Sequence, residues 1–135
     1  MVKIEAVYQG DKHTRVTHGP SGAVLETDAP KDNNGRGESF SPTDLVAAAL
    51  GSCMLTVMAI SAEKDGINMT GAKSQVIKEM AANPRRISGL KVQVEMPNTV
   101  PKEAREKLEV IARTCPVAKS LAEQLEAPIE FHWLS

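Results

Sequence analysis

The longest apolar stretch of the chain is residues 41–66, SPTDLVAAALGSCMLTVMAISAEKDG, and its pattern predicts one long helix. Ser41 can cap this helix through its hydroxyl, Pro42 suits the first turn, and Asp44 completes a start that resembles a capping box. Gly66 is a typical stop signal. No charged residue lies between Leu45 and Ala62. Because a helix that is apolar on all sides is usually buried on all sides, we expect it at the centre of a core.

The length of this stretch argues against a membrane span. A span needs about 20 strongly apolar residues. This run is shorter, rich in alanine, and flanked by an aspartate on one side and Glu-Lys-Asp on the other. We therefore expect no membrane partner.

The length of the whole chain favours one domain, residues 1–135, that pairs with a second copy. A chain of 135 residues can bury a core, but it is short for surrounding a central helix by itself. We therefore expect a homodimer.

The segment before the helix predicts a small antiparallel meander. Residues 2–8 alternate between apolar and polar side chains, which is the period of a half-buried strand. Residues 12–18 can run back after a Gln-Gly-Asp turn, and residues 23–27 can form a third strand. Residues 28–40 are polar, contain glycine and proline, and have no period, so they predict a loop. A loop of this length is itself a hint of function.

The segment after the helix predicts further strands and two shorter helices. Strands are predicted over residues 72–80, after a Thr-Gly break, and over residues 90–96 and 129–133. An amphipathic helix begins at Pro101. Pro116 must interrupt it, but proline also suits the first turn of a new helix, predicted over residues 117–125 with Cys115 as its N-cap.

Charge and composition exclude several classes of partner. Sixteen basic against 17 acidic residues give a net charge of -1, and aromatic residues make up 3% of the chain. Such a chain neither attracts phosphates nor offers platforms on which bases stack, so we expect no nucleic acid as a partner. The first residues lack the features of a secretory signal, and we therefore expect a cytoplasmic protein.

Two cysteines, Cys53 and Cys115, are the leading candidates for chemistry. They form no CxxC motif, which excludes a disulfide framework and a zinc ribbon. His13, His18 and His132 show no metal-ligand spacing, so we expect no metal and no cofactor. A Cys-His hydrolase would need a histidine that folding brings beside a thiol, and no pattern indicates one.

The two thiols differ in their predicted surroundings. Cys115 at a helix start should be favoured as a thiolate by the helix dipole, which makes it the better nucleophile on local grounds. Cys53 lies about three turns into an apolar helix, where it should hold its proton unless an arginine reaches it. Both could also be ordinary buried cysteines, which is the commoner fate of this residue type.

Three segments together resemble the OsmC/Ohr family over nearly the whole chain. They are SPTDLVAAALGSCMLTVM, the later RTCPVAKSL, and THGPSGAVLETDAP near the N-terminus. The two cysteine motifs in this order are more specific than either cysteine alone. The resemblance implies an α+β fold with antiparallel sheets wrapped around a central long apolar helix, in an intertwined homodimer.

The same resemblance implies a peroxidase that acts on hydroperoxides, organic ones above all. Cys53 would be the attacking thiol and Cys115 the resolving one, joined in a disulfide that a thiol or dithiol reductant reopens. This assignment reverses the order in which the helix dipole ranked the two cysteines as thiolates. It therefore requires an arginine beside Cys53 that favours the thiolate. The family's arginine lies on an early strand, where Arg15 matches, and Arg36 in the loop before the helix is the alternative.

One position departs from the family's pattern. Its peroxidases carry a glutamate just after the proline at the helix start, and Thr43 occupies that place here. Asp44 is adjacent but points about 100° away around the helix. Glu38 in the preceding loop could substitute. The departure leaves a second interpretation open, a ligand-binding or redox-sensing protein of this fold with little turnover. A structural dimer with inert cysteines is the third.

Overall fold

The alternating residues near the N-terminus form a three-stranded antiparallel sheet in the computed structural model, which describes residues 1–135. Strand β1 spans Ile4–Tyr8, β2 spans His13–His18, and β3 spans Val24–Asp28. The sheet order is β1-β2-β3, so each strand pairs with its neighbour in sequence. The predicted meander is confirmed.

The predicted loop after β3 is an ordered segment that returns along that strand. It contains one 3-10 turn, Lys31–Asn33. The Asp28 amide donates to the Phe40 carbonyl over 3.0 Å, and the Gly37 amide donates to the Ala29 carbonyl over 3.1 Å. These bonds tie both ends of the loop to the end of β3.

The long helix α1 spans Pro42–Lys64 and begins with the predicted capping box. The Asp44 amide donates to Ser41 Oγ over 3.1 Å, and the Ser41 amide donates to Asp44 Oδ2 over 2.9 Å. Gly66 follows the last turn with a φ of 69°, a conformation that glycine adopts without steric cost. Both predicted ends of the helix are confirmed.

Helix α1 buries one of its faces within the single chain, as expected of a chain too short to surround it, and burial of its other sides stays a prediction. The buried residues recur every three or four positions: Ala47, Leu50, Gly51, Met54, Met58 and Ala62. The exposed ones lie opposite: Ala48, Ala49, Ser52, Thr56 and Ile60. The reason is that a single sheet can cover only one side of a helix. By length and composition alone α1 could also cross a membrane, with a mean hydropathy of 2.0, but core helices of soluble proteins share this property.

The second sheet is mixed, which corrects the expectation of antiparallel sheets alone. Strand β4 spans Lys73–Ala81, β5 spans Arg86–Met96, and β6 spans Ile129–Trp133. β4 and β5 pair antiparallel, whereas β5 and β6 pair parallel. A parallel pair requires a long crossover, and the helical segment between β5 and β6 supplies it. The chain turns at Gly71, where φ is 94°, just before β4 begins, as the Thr-Gly break predicted.

That crossover contains the two predicted shorter helices. Helix α2 spans Lys102–Arg113 and is amphipathic, as expected. Helix α3 spans Pro116–Ser120 and is shorter than predicted. It ends because Leu121 adopts an extended conformation with a ψ of 153°, while Ser120 Oγ donates back to the Pro116 carbonyl.

The chain divides into two units, an N-terminal unit of residues 1–46 and a C-terminal unit of residues 47–135. Every buried apolar side chain belongs to the C-terminal unit; the largest are Leu50, Met54, Met58, Leu90, Val92, Val94, Met96, Val100 and Leu108. The N-terminal unit buries only polar residues, namely Thr27, Asp28 and Ser41. That a single domain spans residues 1–135 stays a prediction.

Candidate redox site

The two cysteines meet in the C-terminal unit. Cys53 lies in the middle of α1, and Cys115 lies between α2 and α3. Both are free thiols. They lie near each other, because Cys53 is, after burial, among the groups that raise the pKa of Cys115. The fold therefore pairs two thiols that lie 62 positions apart in sequence.

A glycine two positions before Cys53 sets how closely α1 packs on the sheet. A Cβ atom added at Gly51 would lie 2.7 Å from Ser74 Oγ and 3.0 Å from a methyl carbon of Val76, both on β4. Any side chain at this position would push the helix away from the strand. Gly51 thus allows the helical turn that carries Cys53 to pack closely against β4.

Cys115 is the N-cap of α3, as predicted. Its Sγ accepts a hydrogen bond from the Ala118 amide over 3.4 Å, and Pro116 occupies the first turn. The thiol is 1% exposed. Burial raises the pKa of Cys115, the Cys53 thiol adds to this, and the Ala118 amide opposes both.

The expectation that the helix start favours the thiolate form of Cys115 is therefore wrong. A helix of a single turn contributes little dipole, and desolvation of a buried anion outweighs one amide hydrogen bond. Cys53 is half-buried, so solvent and small molecules have more access to it than to Cys115. The arrangement can thus support attack by Cys53 followed by bond formation with the neighbouring Cys115.

Both candidate arginines lie in the N-terminal unit. Arg15 is exposed on β2, directly across from Val7 of β1 and Glu26 of β3. Arg36 lies in the loop after β3, and its Nη2 donates to Asp28 Oδ1 over 3.3 Å. Of the two, Arg36 is the one whose guanidinium is paired with a buried carboxylate.

Asp28 is the residue that reasoning from sequence missed. Its carboxylate is 2% exposed and accepts hydrogen bonds from His13 Nδ1 over 2.6 Å, Arg36 Nη2 over 3.3 Å and the Glu38 amide over 3.2 Å. His13 and Asp28 lie opposite each other on β2 and β3, and this placement is what indicates their ion pair. The placement follows from the strand register, which the sequence alone did not provide.

The charges in this cluster stabilise one another. The hydrogen bond from His13 is the main reason that the pKa of Asp28 is lowered, and Arg36 contributes in the same direction. The hydrogen bond to Asp28 is likewise the main reason that the pKa of His13 is raised, followed by the bond to Glu26. Because both ring nitrogens of His13 face carboxylate oxygens, the doubly protonated imidazolium fits best.

The acids weighed as partners for the arginine take other roles. Asp44 caps α1 through the Ser41 amide. Glu38 contributes its backbone amide to Asp28, so the carboxylate that pairs with Arg36 is that of Asp28. Thr43 Oγ1 lies 3.1 Å from Ser41 Oγ at the start of α1. The remaining histidines bond locally, His18 to Ser21 and His132 to Glu130.

Comparison with solved structures places the fold. A protein from Psychrobacter arcticus, provisionally named an osmotic stress induced and detoxification response protein, is 39% identical with a TM-score of 0.93; the match covers 98% of this chain and 96% of that one. An organic hydroperoxide resistance protein OsmC from Legionella pneumophila is 16% identical with a TM-score of 0.77, over 98% of this chain and 96% of that one.

A third solved structure and a family sequence profile also match this chain. An organic hydroperoxide resistance protein from Elizabethkingia anophelis is 15% identical with a TM-score of 0.78, over 99% of this chain and 96% of that one. No curated protein matches the sequence. The profile of the family described as OsmC-like protein matches residues 35–130, which is well over half of the chain. The chain therefore belongs to the OsmC-like protein family, some of whose structural relatives are named organic hydroperoxide resistance proteins.

Proposed function

We propose that the protein is a thiol-dependent peroxidase that reduces hydroperoxides, preferably organic ones. The observation that carries this proposal is the proximity of the half-buried Cys53 to the buried Cys115. A nucleophilic thiol and a neighbouring thiol that can form a disulfide with it are the two groups that such a reaction needs. The relatives named for organic hydroperoxide resistance support the choice of substrate.

The proposed reaction has three steps. The Cys53 thiolate attacks one oxygen of the hydroperoxide, the O–O bond breaks, and the other oxygen leaves with its organic group and takes a proton to become an alcohol. Cys53 is thereby oxidised to a sulfenic acid. The Cys115 thiol condenses with it, which forms the Cys53–Cys115 disulfide and releases water. A thiol or dithiol reductant then exchanges with this disulfide, restores both thiols, and departs in its own oxidised form.

The first step requires a cation, because both the thiolate and the leaving oxygen carry negative charge. We assign this role to an arginine, Arg15 or alternatively Arg36, as the family resemblance suggests. A neighbouring guanidinium favours the thiolate over the thiol. The raised pKa of Cys115 suits its role as the resolving residue, because a thiol that stays protonated does not compete for the peroxide.

The homodimer and the cytoplasmic location belong to the same proposal. The exposed apolar face of α1 and the absence of buried apolar side chains in the N-terminal unit both favour a second copy that covers them. A reducing compartment would supply the thiol reductant that the cycle consumes.

The test is oxidation by a small excess of an organic hydroperoxide. We expect free thiol to be consumed and an intramolecular Cys53–Cys115 disulfide to appear by mass spectrometry without reduction. The Cys115→Ser variant should stop at the sulfenic acid, whereas Cys53→Ser should not react. Oxidation of Cys53→Ser at the rate of the unchanged protein would rule out the proposed mechanism.

A second candidate is a redox sensor with little turnover, and Thr43 favours it. This residue stands where a peroxidase of the family would carry a glutamate, and its hydroxyl lies 3.1 Å from Ser41 Oγ. A sensor would form the disulfide once and then stall. Steady turnover with a dithiol reductant would exclude it, and one equivalent of peroxide consumed without turnover would favour it.

A further inference from the structure

Helix α2 contacts strand β6 through two arginines that each lie over an aromatic ring. The guanidinium carbon of Arg105 lies 4.9 Å from the centre of the Trp133 ring, and that of Arg113 lies 5.2 Å from the centre of the Phe131 ring. A cation within about 6 Å of the face of an aromatic ring is attracted to it. The helix is therefore attached to the strand at two points, one near each of its ends.

The two rings are held in turn by the sheet of the C-terminal unit. Phe131 and Trp133 stack, with 6.4 Å between their ring centres and an angle of 15° between their planes. In the parallel pairing of β5 and β6, Phe131 lies opposite Val94 and Trp133 lies opposite Met96, and both of these partners are fully buried. A cation over either ring is thus tied to the sheet on which α1 packs.

The Arg113 end of α2 leads directly into Cys115. Arg113 is the last residue of the helix, and the Cys115 amide donates to the carbonyl of the fully buried Ala112 over 3.3 Å. On its other side Cys115 begins α3, which buries none of its own residues. The contacts that fix where the Cys115 thiol lies are therefore those of the last turn of α2.

The position of Cys115 matters because a sulfenic acid at Cys53 has two fates. It can condense with the Cys115 thiol, which forms the disulfide and releases water. A second molecule of hydroperoxide can instead transfer an oxygen to it, which gives a sulfinic acid and an alcohol, and thiols do not reverse this product. Fast closure of the disulfide is what protects Cys53.

We propose that Arg113 is a positioning residue for the resolving step, because its contact with the Phe131 ring holds the end of α2 where Cys115 lies beside Cys53. The proposal rests on the proposed function, in which Cys115 resolves the Cys53 sulfenic acid. Arg113 acts through the last turn of α2 and has no chemical part in the step. Arg105 makes the same kind of contact ten residues before Cys115 and does not share this role.

The test measures closure of the disulfide without any peroxide. The exposed thiol of Cys53 attacks the disulfide reagent dithiobis(nitrobenzoate), which releases one coloured thiolate and leaves a mixed disulfide. Cys115 then displaces the second coloured thiolate, and the rate of this second release is the rate of closure. Arg113→Met keeps an aliphatic side chain but removes the cation. It should slow the second release about two- to fivefold, the factor that corresponds to a cation–π contact at a partly exposed site.

Two matched variants show whether the place of the contact matters. Arg105→Met removes the other cation–π contact of α2 and should leave the rate of closure unchanged, although both variants should lower the free energy of unfolding in urea. Glu109→Gln removes the partner that lies 3.8 Å from Arg113 Nη2, and it too should leave closure unchanged. If either control slows closure as much as Arg113→Met does, the proposal is overturned.

Phe131→Leu tests the ring without changing any charge. It should slow closure about as much as Arg113→Met, and the double variant should be no slower than Phe131→Leu alone, because the two side chains act as one contact. Losses that add in full would overturn the proposal. If Phe131→Leu does not fold, Arg113→Met decides alone, since its side chain is 52% exposed in the unchanged protein.

The pH profile separates positioning from a direct effect of the charge on the Cys115 thiol. Loss of a contact that positions Cys115 should lower the rate of closure by the same factor between about pH 6 and 9, the range in which thiols ionise. A profile of Arg113→Met that is shifted to higher pH, with an unchanged rate at its upper end, would mean that Arg113 favours the thiolate. That result would overturn the positioning role.

The reagent reports on closure whether or not the protein reduces a peroxide. A protein that consumes no hydroperoxide, yet closes the disulfide more slowly in Arg113→Met, would contradict the proposed function and keep the role of Arg113 in placing Cys115. An active peroxidase with equally fast closure in Arg113→Met would contradict only the positioning role. With an organic hydroperoxide in excess, Arg113→Met should also accumulate more Cys53 sulfinic acid by mass spectrometry, while the initial loss of the Cys53 thiol stays as fast.

Discussion

The two units of the chain bury opposite kinds of side chain. The C-terminal unit hides methionine, leucine and valine between α1 and its mixed sheet, and it also holds both thiols. The N-terminal unit buries the carboxylate of Asp28 and the hydroxyl residues Thr27 and Ser41. Its exposed large apolar side chains include Ile4, Val7, Tyr8, Val24, Leu25 and Phe40.

This difference shows that the two units are stable for different reasons. The C-terminal unit has a core that removes apolar surface from water, which is the dominant favourable contribution to folding. The N-terminal unit of 46 residues has a charge network instead, and such a network roughly balances its own desolvation cost. Exposed apolar side chains on this scale indicate an interface, which is why we propose a second copy as the cover.

The largest expected effect comes from breaking the core of the C-terminal unit. Leu90 in β5 is fully buried, so Leu90→Ala should lower the free energy of unfolding by about 2–5 kcal/mol through lost burial and a residual cavity. The matched change Leu25→Ala in β3 removes a half-exposed side chain. At low protein concentration it should therefore lower the free energy of unfolding by less than Leu90→Ala does. Urea unfolding at two protein concentrations measures both. Equal losses at every concentration would show that the N-terminal unit has a core within the single chain.

A smaller effect is expected from the exposed face of α1. Ile60 is 52% exposed on this face, and Ile60→Glu should weaken self-association at least about tenfold, because a charge would have to be buried in an apolar contact. The control is Val110→Glu on α2, where the side chain is 53% exposed. Sedimentation at micromolar concentration compares them. The homodimer proposal fails if the unchanged protein sediments as a stable monomer.

The smallest effect concerns the pH dependence of the charge network in the N-terminal unit. The pKa of His13 is raised above its ordinary value of 6.5, so its stabilising contribution is complete below 6.5 and is lost as pH rises through the folded value. The pKa of Asp28 is lowered below 3.8, so its contribution is present above 3.8 and is lost as pH falls through the folded value. The network should therefore stabilise most between these two values.

His13→Gln tests this window. The difference in unfolding free energy between the unchanged protein and the variant should be largest at about pH 5.5 and should fall as pH rises, because the imidazolium loses its proton as pH passes through the raised pKa of His13. His18→Gln is the control, since His18 bonds Ser21 and no carboxylate. A difference that does not vary with pH would mean that His13 contributes packing and not charge.

Much of the fold could be predicted because it depends on local signals. The period of two over residues 2–8 and 129–133 matches β1 and β6, and the Ser-Pro-Thr-Asp start predicted the first turn of α1. Pro116 after Cys115 predicted an N-capping thiol, which the structure confirms. In each of these cases the neighbours along the chain decide the conformation.

Errors arose where distant parts of the chain decide the outcome. The parallel pairing of β6 depends on which strand the crossover returns to, and the sequence pattern of β6 is the same for either direction. The pKa of Cys115 depends on burial and on Cys53, which outweigh the local dipole on which the prediction relied. The assignment of Cys53 and Cys115 to attack and resolution stays a prediction.

The sequence by itself determined the elements, the capping of α1, and the two thiols as the groups that could react, because periodicity, caps and residue chemistry are properties of short segments. Only the tertiary structure decided that Cys53 lies beside Cys115 and that Asp28 holds His13 and Arg36 together. It also decided that α1 is apolar on every side but buried on one. The physical reason is that side-chain contacts, desolvation and charge pairing depend on which segments lie next to each other in the fold. Strand register and helix packing determine which segments these are.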